Sequence, residues 1–214
     1  MDDEKKIRVF REQWRLHLSS RLQVSEAAQD LIERHFRLLI KWNRVHNLTS
    51  VDEVESLVSE HYIDCLWALS VWQAGTKIET PIYDLGSGNG FPGVIGAILF
   101  PEYKFVLIES SRKKCSFLRM VSADLSLLNL SILQKRVEEL SELEIAITRA
   151  AFSEPKINEL ADAFKQNGSL ALMTVPSFPS ERWNLSESPW SISSRSAYFL
   201  PSGAERCVVV LRKK

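Results

Sequence analysis

Apolar residues recur every three or four positions at the start of the chain. Ile7, Phe10, Trp14 and Leu18 share one helical face and Arg8, Arg11 and Arg15 another, which predicts an amphipathic helix. A second segment repeats the pattern, with Ile32, Phe36, Leu39 and Ile40 beside a basic stripe of Arg34, Arg37, Lys41 and Arg44. No strand-like run precedes Trp72, and Gln73-Ala74-Gly75-Thr76 reads as a break. The period then changes. Short apolar runs at Ile82–Asp84, Lys104–Glu109, Ser131–Leu133, Glu144–Thr148 and Gly168–Met173 predict strands. Helices are expected from Val94, over Arg112–Leu127 and near Ile157–Phe164. Ala197–Leu200 and Cys207–Leu211 flank Pro201-Ser202-Gly203, a hairpin signal. The expected organisation is a helical extension over 1–76, packed on an α/β domain over 77–214 whose parallel sheet closes with an antiparallel hairpin.

Between the first strand and the helix after it lies Asp84-Leu85-Gly86-Ser87-Gly88-Asn89-Gly90-Phe91-Pro92-Gly93. Strand, glycine turn and helix in that order make a cradle for a nucleotide-like cofactor. A dinucleotide fingerprint needs a glycine where Phe91 stands, and a bulky ring there would crowd a pyrophosphate. S-adenosylmethionine has no phosphate, and its ribose hydroxyls call for an acid at the end of the next strand. Glu109 occupies that place. The fold class that follows is a Rossmann-like class I methyltransferase sheet with its N-terminal helical extension and C-terminal hairpin.

Composition changes little in this picture. The 214 residues are 45% hydrophobic and 25% charged, enough for one good-sized core. Lys plus Arg equals Asp plus Glu at 27 each, so net charge announces no nucleic-acid partner, and the two basic stripes read equally as phosphate-facing surfaces or solvated helix faces. Cys65, Cys115 and Cys207 are scattered, without metal-ligand spacing, and read as structural thiols. His61 and Asp64 share a helical face but lack the further ligands of a metal site, so the pair reads as structural. No metal is expected. No apolar run approaches membrane-spanning length, which points away from a membrane and to the cytoplasm.

Lys41-Trp42-Asn43-Arg44-Val45-His46-Asn47-Leu48-Thr49 resembles the K-W-N-x-x-x-N-L-T signature of the RsmG (GidB) family of small-subunit rRNA guanine-N7 methyltransferases. His61-Tyr62-Ile63-Asp64, the Asp84–Gly93 loop, Phe117-Leu118-Arg119, Arg136-Val137-Glu138-Glu139, Thr148-Arg149-Ala150 and Glu205-Arg206 follow in family order. The resemblance implies methyl transfer from S-adenosylmethionine to N7 of a guanine in the 530 loop of 16S rRNA, free or within the small ribosomal subunit or its precursor. By position it places Gly86 and Phe91 against the cofactor, Val137 and Glu138 beside its adenine, and Arg149 at the mouth shared with substrate. Asp84, Gly88 and Glu109 support the same ligand, and Arg136 and Arg206 match basic positions that meet RNA. Duller roles compete: Phe91 as a core aromatic, Val137 as packing, Arg206 as a surface strand residue. The chain departs from the family at Met173, where a lysine is usual, and at Glu60 and Cys65.

Guanine N7 carries a lone pair and no proton, and a sulfonium methyl is already electrophilic, so no general base is required and positioning dominates. Two other readings stay open: a noncatalytic RNA-binding assembly factor, and a nicotinamide-dependent oxidoreductase.

Overall fold

The computed structural model describes residues 2–18, 24–46, 53–74, 81–149, 151–180 and 183–214. Asn47, Leu48 and Thr49 of the signature, Gly75 and Thr76 of the expected break, and Ala150 lie outside them.

The extension is helical, with α1 (Asp3–Leu18), α2 (Glu26–His46), α3 (Val54–Leu57), a π-helical turn (Val58–Ile63) and α4 (Asp64–Ala74). The predicted apolar faces point inward: Ile7, Phe10, Trp14, Ile32, Phe36, Leu39 and Ile40 are buried and Leu18 is half-buried at the end of α1. The helix α4 runs through Gln73 and Ala74, where a break was expected.

The α/β part follows as β1 (Ile82–Leu85), α5 (Gly93–Leu99), β2 (Phe105–Ile108), α6 (Arg112–Asp124), β3 (Leu130–Leu133), β4 (Leu143–Arg149), α7 (Glu154–Leu160), β5 (Phe164–Thr174), β6 (Trp190–Phe199) and β7 (Glu205–Lys213). The strands form one sheet in the order β3-β2-β1-β4-β5-β7-β6. The first five are parallel, and β7 runs antiparallel between β5 and β6. The order reverses direction at β1 and β4, so a crevice opens beyond their carboxyl ends.

Three boundaries differ from the sequence reading. The helix expected near Ile157–Phe164 ends at Leu160, and after a short 3-10 turn Phe164 already begins β5. That strand carries a bulge, where pairing jumps from Leu143–Phe164 to Ile145–Ser169. A Cβ at Gly168 would lie 2.8 Å from the Leu143 carbonyl oxygen, so the bulge needs a glycine there. Finally, β6 starts at Trp190, well before Ala197, because Ser191–Ser196 form an exposed polar edge that lacks alternation.

One hydrophobic cluster joins the extension to one sheet face, running from Phe10, Trp14 and Phe36 through Tyr62 to Phe91, Val94, Phe105 and Phe117. The other face is covered by Ile157, Leu160 and Trp190 packed with Leu85, Val137 and Leu172. The rings of Trp42 and Phe117 stand 5.7 Å apart, which seats α2 on α6. No helix among the described residues is long and apolar enough to cross a membrane.

Candidate cofactor and substrate site

A central parallel strand is covered on both faces, so Asp84 in β1 is fully buried. Its Oδ2 accepts the Gly93 N–H at 2.9 Å. Burial raises its carboxyl to about 7, against the opposing pull of the Gly93 and Ser87 hydrogen bonds. Oδ1 is buried and has no protein hydrogen-bond partner. The backbone then turns through Gly86, Gly88 and Gly90 at φ values of 76°, 56° and 94°, the left-handed region that favours glycine. A Cβ on Gly86 would meet the Ala151 Cβ at 3.2 Å, so the segment after β4 closes over this turn. At Gly93 the approach is tighter still, since a Cβ would sit 2.1 Å from Leu107 Cδ2 and 2.6 Å from Asp84 Oδ2.

Glu109 follows β2 immediately, beside the loop. Its Oε2 accepts the Gly88 N–H at 3.0 Å and its Oε1 the Ser111 N–H at 2.8 Å. Each carboxylate oxygen has a second lone pair, which leaves acceptor capacity for a ribose hydroxyl. A polar acceptor at the strand end, a glycine turn and an unmatched buried carboxylate oxygen suit a cationic, hydroxyl-bearing ligand such as S-adenosylmethionine.

The Phe91 ring does not line an open cleft. It is 7% exposed and packs against the rings of His35, His61 and Tyr62 at 5.4, 5.2 and 4.9 Å. The core-aromatic reading therefore describes this side chain. Val137 is likewise buried, whereas the exposed Glu138 pairs with Lys156 Nζ at 2.5 Å.

Arg149 ends β4 at the same edge. Its Nε donates to Asp64 Oδ2 at 3.0 Å, its guanidinium to His61 Nδ1 at 3.1 Å and to the Glu60 carbonyl. Burial, reinforced by the Arg149 charge, pushes His61 down to about 4, so the neutral ring offers a lone pair. Tyr198 on β6 donates its hydroxyl to Asp64 Oδ1 at 2.6 Å. The π-helical turn matters here, since it presents the Glu60 carbonyl and His61 together to one guanidinium. His61 and Asp64 are thus structural in the sense that they hold Arg149. Sequence reasoning missed Tyr198 and this shared role, because the partners lie 85 and 134 residues from Asp64.

The basic candidates divide. Arg206 lies beside Cys207, which pairs with Thr174 at the carboxyl end of β5, and the exposed Arg136 follows β3, so both are at the site edge. The structure does not bring Arg34 and Arg37 there. Arg34 binds the Asp124 carbonyl and carboxylate at the far end of α6, and Arg37 pairs with Glu33 at 2.8 Å and Glu4 at 3.8 Å. Met173, where a lysine was expected, is 2% exposed. The three cysteines are buried free thiols, and among the described residues no three His, Cys, Asp or Glu side chains group as a metal would need.

Residues 28–209 match the family model described as rRNA small subunit methyltransferase G. The chain belongs to that family. A ribosomal RNA small subunit methyltransferase G from Francisella philomiragia is 35% identical over 195 residues, covering 88% of this chain and 92% of that one. The Mycoplasma capricolum protein of the same name is 33% identical over 169 residues, covering 76% and 72%. Among solved structures, a SAM-dependent methyltransferase from Aquifex aeolicus superposes with a TM-score of 0.55 at 12% identity, over 78% of this chain and 97% of that one. Magnesium protoporphyrin IX methyltransferase from Synechocystis, solved with bound SAM, gives 0.54 at 12% identity over 100% and 98%. The fold is the class I methyltransferase fold, and family membership makes the chain a methyltransferase.

Proposed function

We propose that this chain methylates N7 of a guanine in the 530 loop of 16S rRNA, free or in the small ribosomal subunit or its precursor, in the cytoplasm. In this reading residues 1–76 form an extension that supports a catalytic domain over 77–214. The observation that carries it is the buried, unmatched Oδ1 of Asp84 beneath a glycine turn, with Arg149 held rigidly at the same strand edge. S-adenosylmethionine supplies an electrophilic methyl group when bound. Asp84, Gly86, Gly88, Glu109 and the Phe91 backbone hold it, with Val137 and Glu138 beside the adenine. Arg149 is already engaged by Asp64, His61 and Glu60, so its charge is preorganised before substrate arrives. Arg136 and Arg206 flank the same edge and meet RNA phosphate. No proton must leave N7, so alignment of sulfur, methyl and nitrogen is the whole task of the site.

Methylation at N7 puts a delocalised positive charge on the purine and labilises its glycosidic bond after borohydride reduction. Small-subunit rRNA treated with this chain and S-adenosylmethionine is therefore expected to be cut by aniline at one guanine. A methylated product resistant to that treatment overturns the N7 assignment. Cofactor binding without methylation of naked rRNA, subunits or precursor particles would instead favour the assembly-factor reading.

A further inference from the structure

The methyl-transfer reading makes no use of His35, the most deeply buried histidine among the described side chains. His35 lies in α2, fully buried, between Arg34, which pairs with Asp124, and Phe36, which stacks on Phe10. Its Nε2 is 3.1 Å from the Asn89 carbonyl oxygen, in the glycine loop, and its Nδ1 is 2.8 Å from the Tyr62 hydroxyl. A carbonyl can only accept, so Nε2 carries the proton. In the neutral ring Nδ1 then accepts from Tyr62 O–H. Burial pushes His35 down to about 4, which agrees with a neutral ring near pH 7. Both nitrogens are thus spent on directed bonds.

The carbonyl that His35 holds belongs to the Asn89–Gly90 peptide, whose N–H donates to the Ser87 carbonyl at 2.8 Å. That peptide plane is therefore clamped on both sides, in the middle of the turn where Gly88 and Gly90 are left-handed. Two residues before Asn89, Ser87 also anchors the turn to β1 by donating to the Asp84 carbonyl at 2.9 Å. Through this imidazole the helical extension hydrogen-bonds to the backbone of the cofactor loop.

We propose that His35 is a positioning residue for methyl transfer, fixing through the Asn89 carbonyl the shape of the loop that receives S-adenosylmethionine. The proposal rests on the reading of that loop as the cofactor cradle. Its test uses the two amides that mimic the two imidazole nitrogens. In His35→Gln the amide reaches the place of Nε2 and restores a donor to Asn89; in His35→Asn it reaches only the place of Nδ1. Both put a polar group in the same buried space, and His35→Phe fills that space without a donor, so loss in both Asn and Phe with retention in Gln separates the hydrogen bond from packing. Calorimetric affinity for S-adenosylmethionine is expected to fall at least tenfold in His35→Asn and in His35→Phe, and to stay within about threefold of the unsubstituted chain in His35→Gln. The KM for rRNA is expected to change less than twofold in all three. Equal affinity losses in Gln and Asn, or full affinity in Phe, overturn the positioning role and leave His35 as core filling. An unsubstituted chain that binds no S-adenosylmethionine overturns the cradle reading itself, which separates the two failures.

Discussion

The glycine loop and the Arg149 cluster lie at the same edge of the sheet but are built in opposite ways. The loop is built mainly from near neighbours: Asp84, Gly86, Gly88, Gly93 and Glu109 come from β1, the turn and helix start that follow it, and the position just after β2, although His35 and Ala151 reach it from elsewhere. The cluster gathers Glu60, His61 and Asp64 from a helical turn, Arg149 from β4 and Tyr198 from β6. A site made locally is protected by backbone geometry, whereas one made at long range depends on the whole fold holding its members together. Failure should therefore differ: local damage to the loop lowers affinity, and damage to the cluster costs stability.

The largest effect is expected from Asp64→Ala. It strips a part-buried guanidinium of its counter-charge and leaves the Tyr198 hydroxyl without an acceptor. Breaking one side of such a pair should cost about 3 kcal/mol in denaturant unfolding. A loss under about 1 kcal/mol would mean that the cluster is held by its surroundings rather than by charge.

Next comes Gly86→Val, which puts a branched side chain at a φ of 76°, with its Cβ 3.2 Å from Ala151. Affinity for S-adenosylmethionine is expected to drop at least tenfold, about 1.4 kcal/mol. Unchanged calorimetric affinity in a folded variant would remove Gly86 from the cofactor site.

The smallest effect concerns pH. Burial raises Asp84 to about 7 in the free protein, and a cationic cofactor favours the ionised carboxylate. Affinity should then rise with pH between about 6 and 8, tenfold at most for each unit by which binding lowers that value. Asp84→Asn should flatten the profile. The same raised value has the opposite sign for stability without cofactor: the folded chain holds the proton more tightly than the unfolded one, so stability falls as pH climbs from the ordinary carboxylate range through 7. A flat affinity profile in the unsubstituted chain would detach Asp84 from the ligand.

The same contrast explains what could be read in the chain beforehand. Five parallel strands, the glycine turn and the acid at Glu109 were legible because each is dictated by neighbours along the chain. Arg149 was found by family resemblance, but nothing in its vicinity announces Tyr198. Phe91 shows another limit: an aromatic beside a glycine turn looks like a ligand contact until α2 and the π-helical turn are seen to cover it. The basic stripes show a related limit. Arg34 and Arg37 sit at helical spacing, but beside Glu33 of the same helix their acidic partners include Asp124 and Glu4 from other elements. The start of β6 was hidden because a solvent-facing edge of serines carries no apolar alternation.

The place of β7 also orders events during synthesis. This strand lies between β5 and β6, pairing Leu172 with Val209 on one side and Arg195 with Val209 on the other. A growing chain makes β6 before the strand that joins it to the sheet, so β6 has no neighbour until residues 205–213 have followed it out of the ribosome. Until then Tyr198 has no fixed position from which to reach Asp64, and Arg149 has only part of its setting. An incomplete nascent chain can thus fold its glycine loop before Arg149 is fully seated, which delays a working site until β7 has docked.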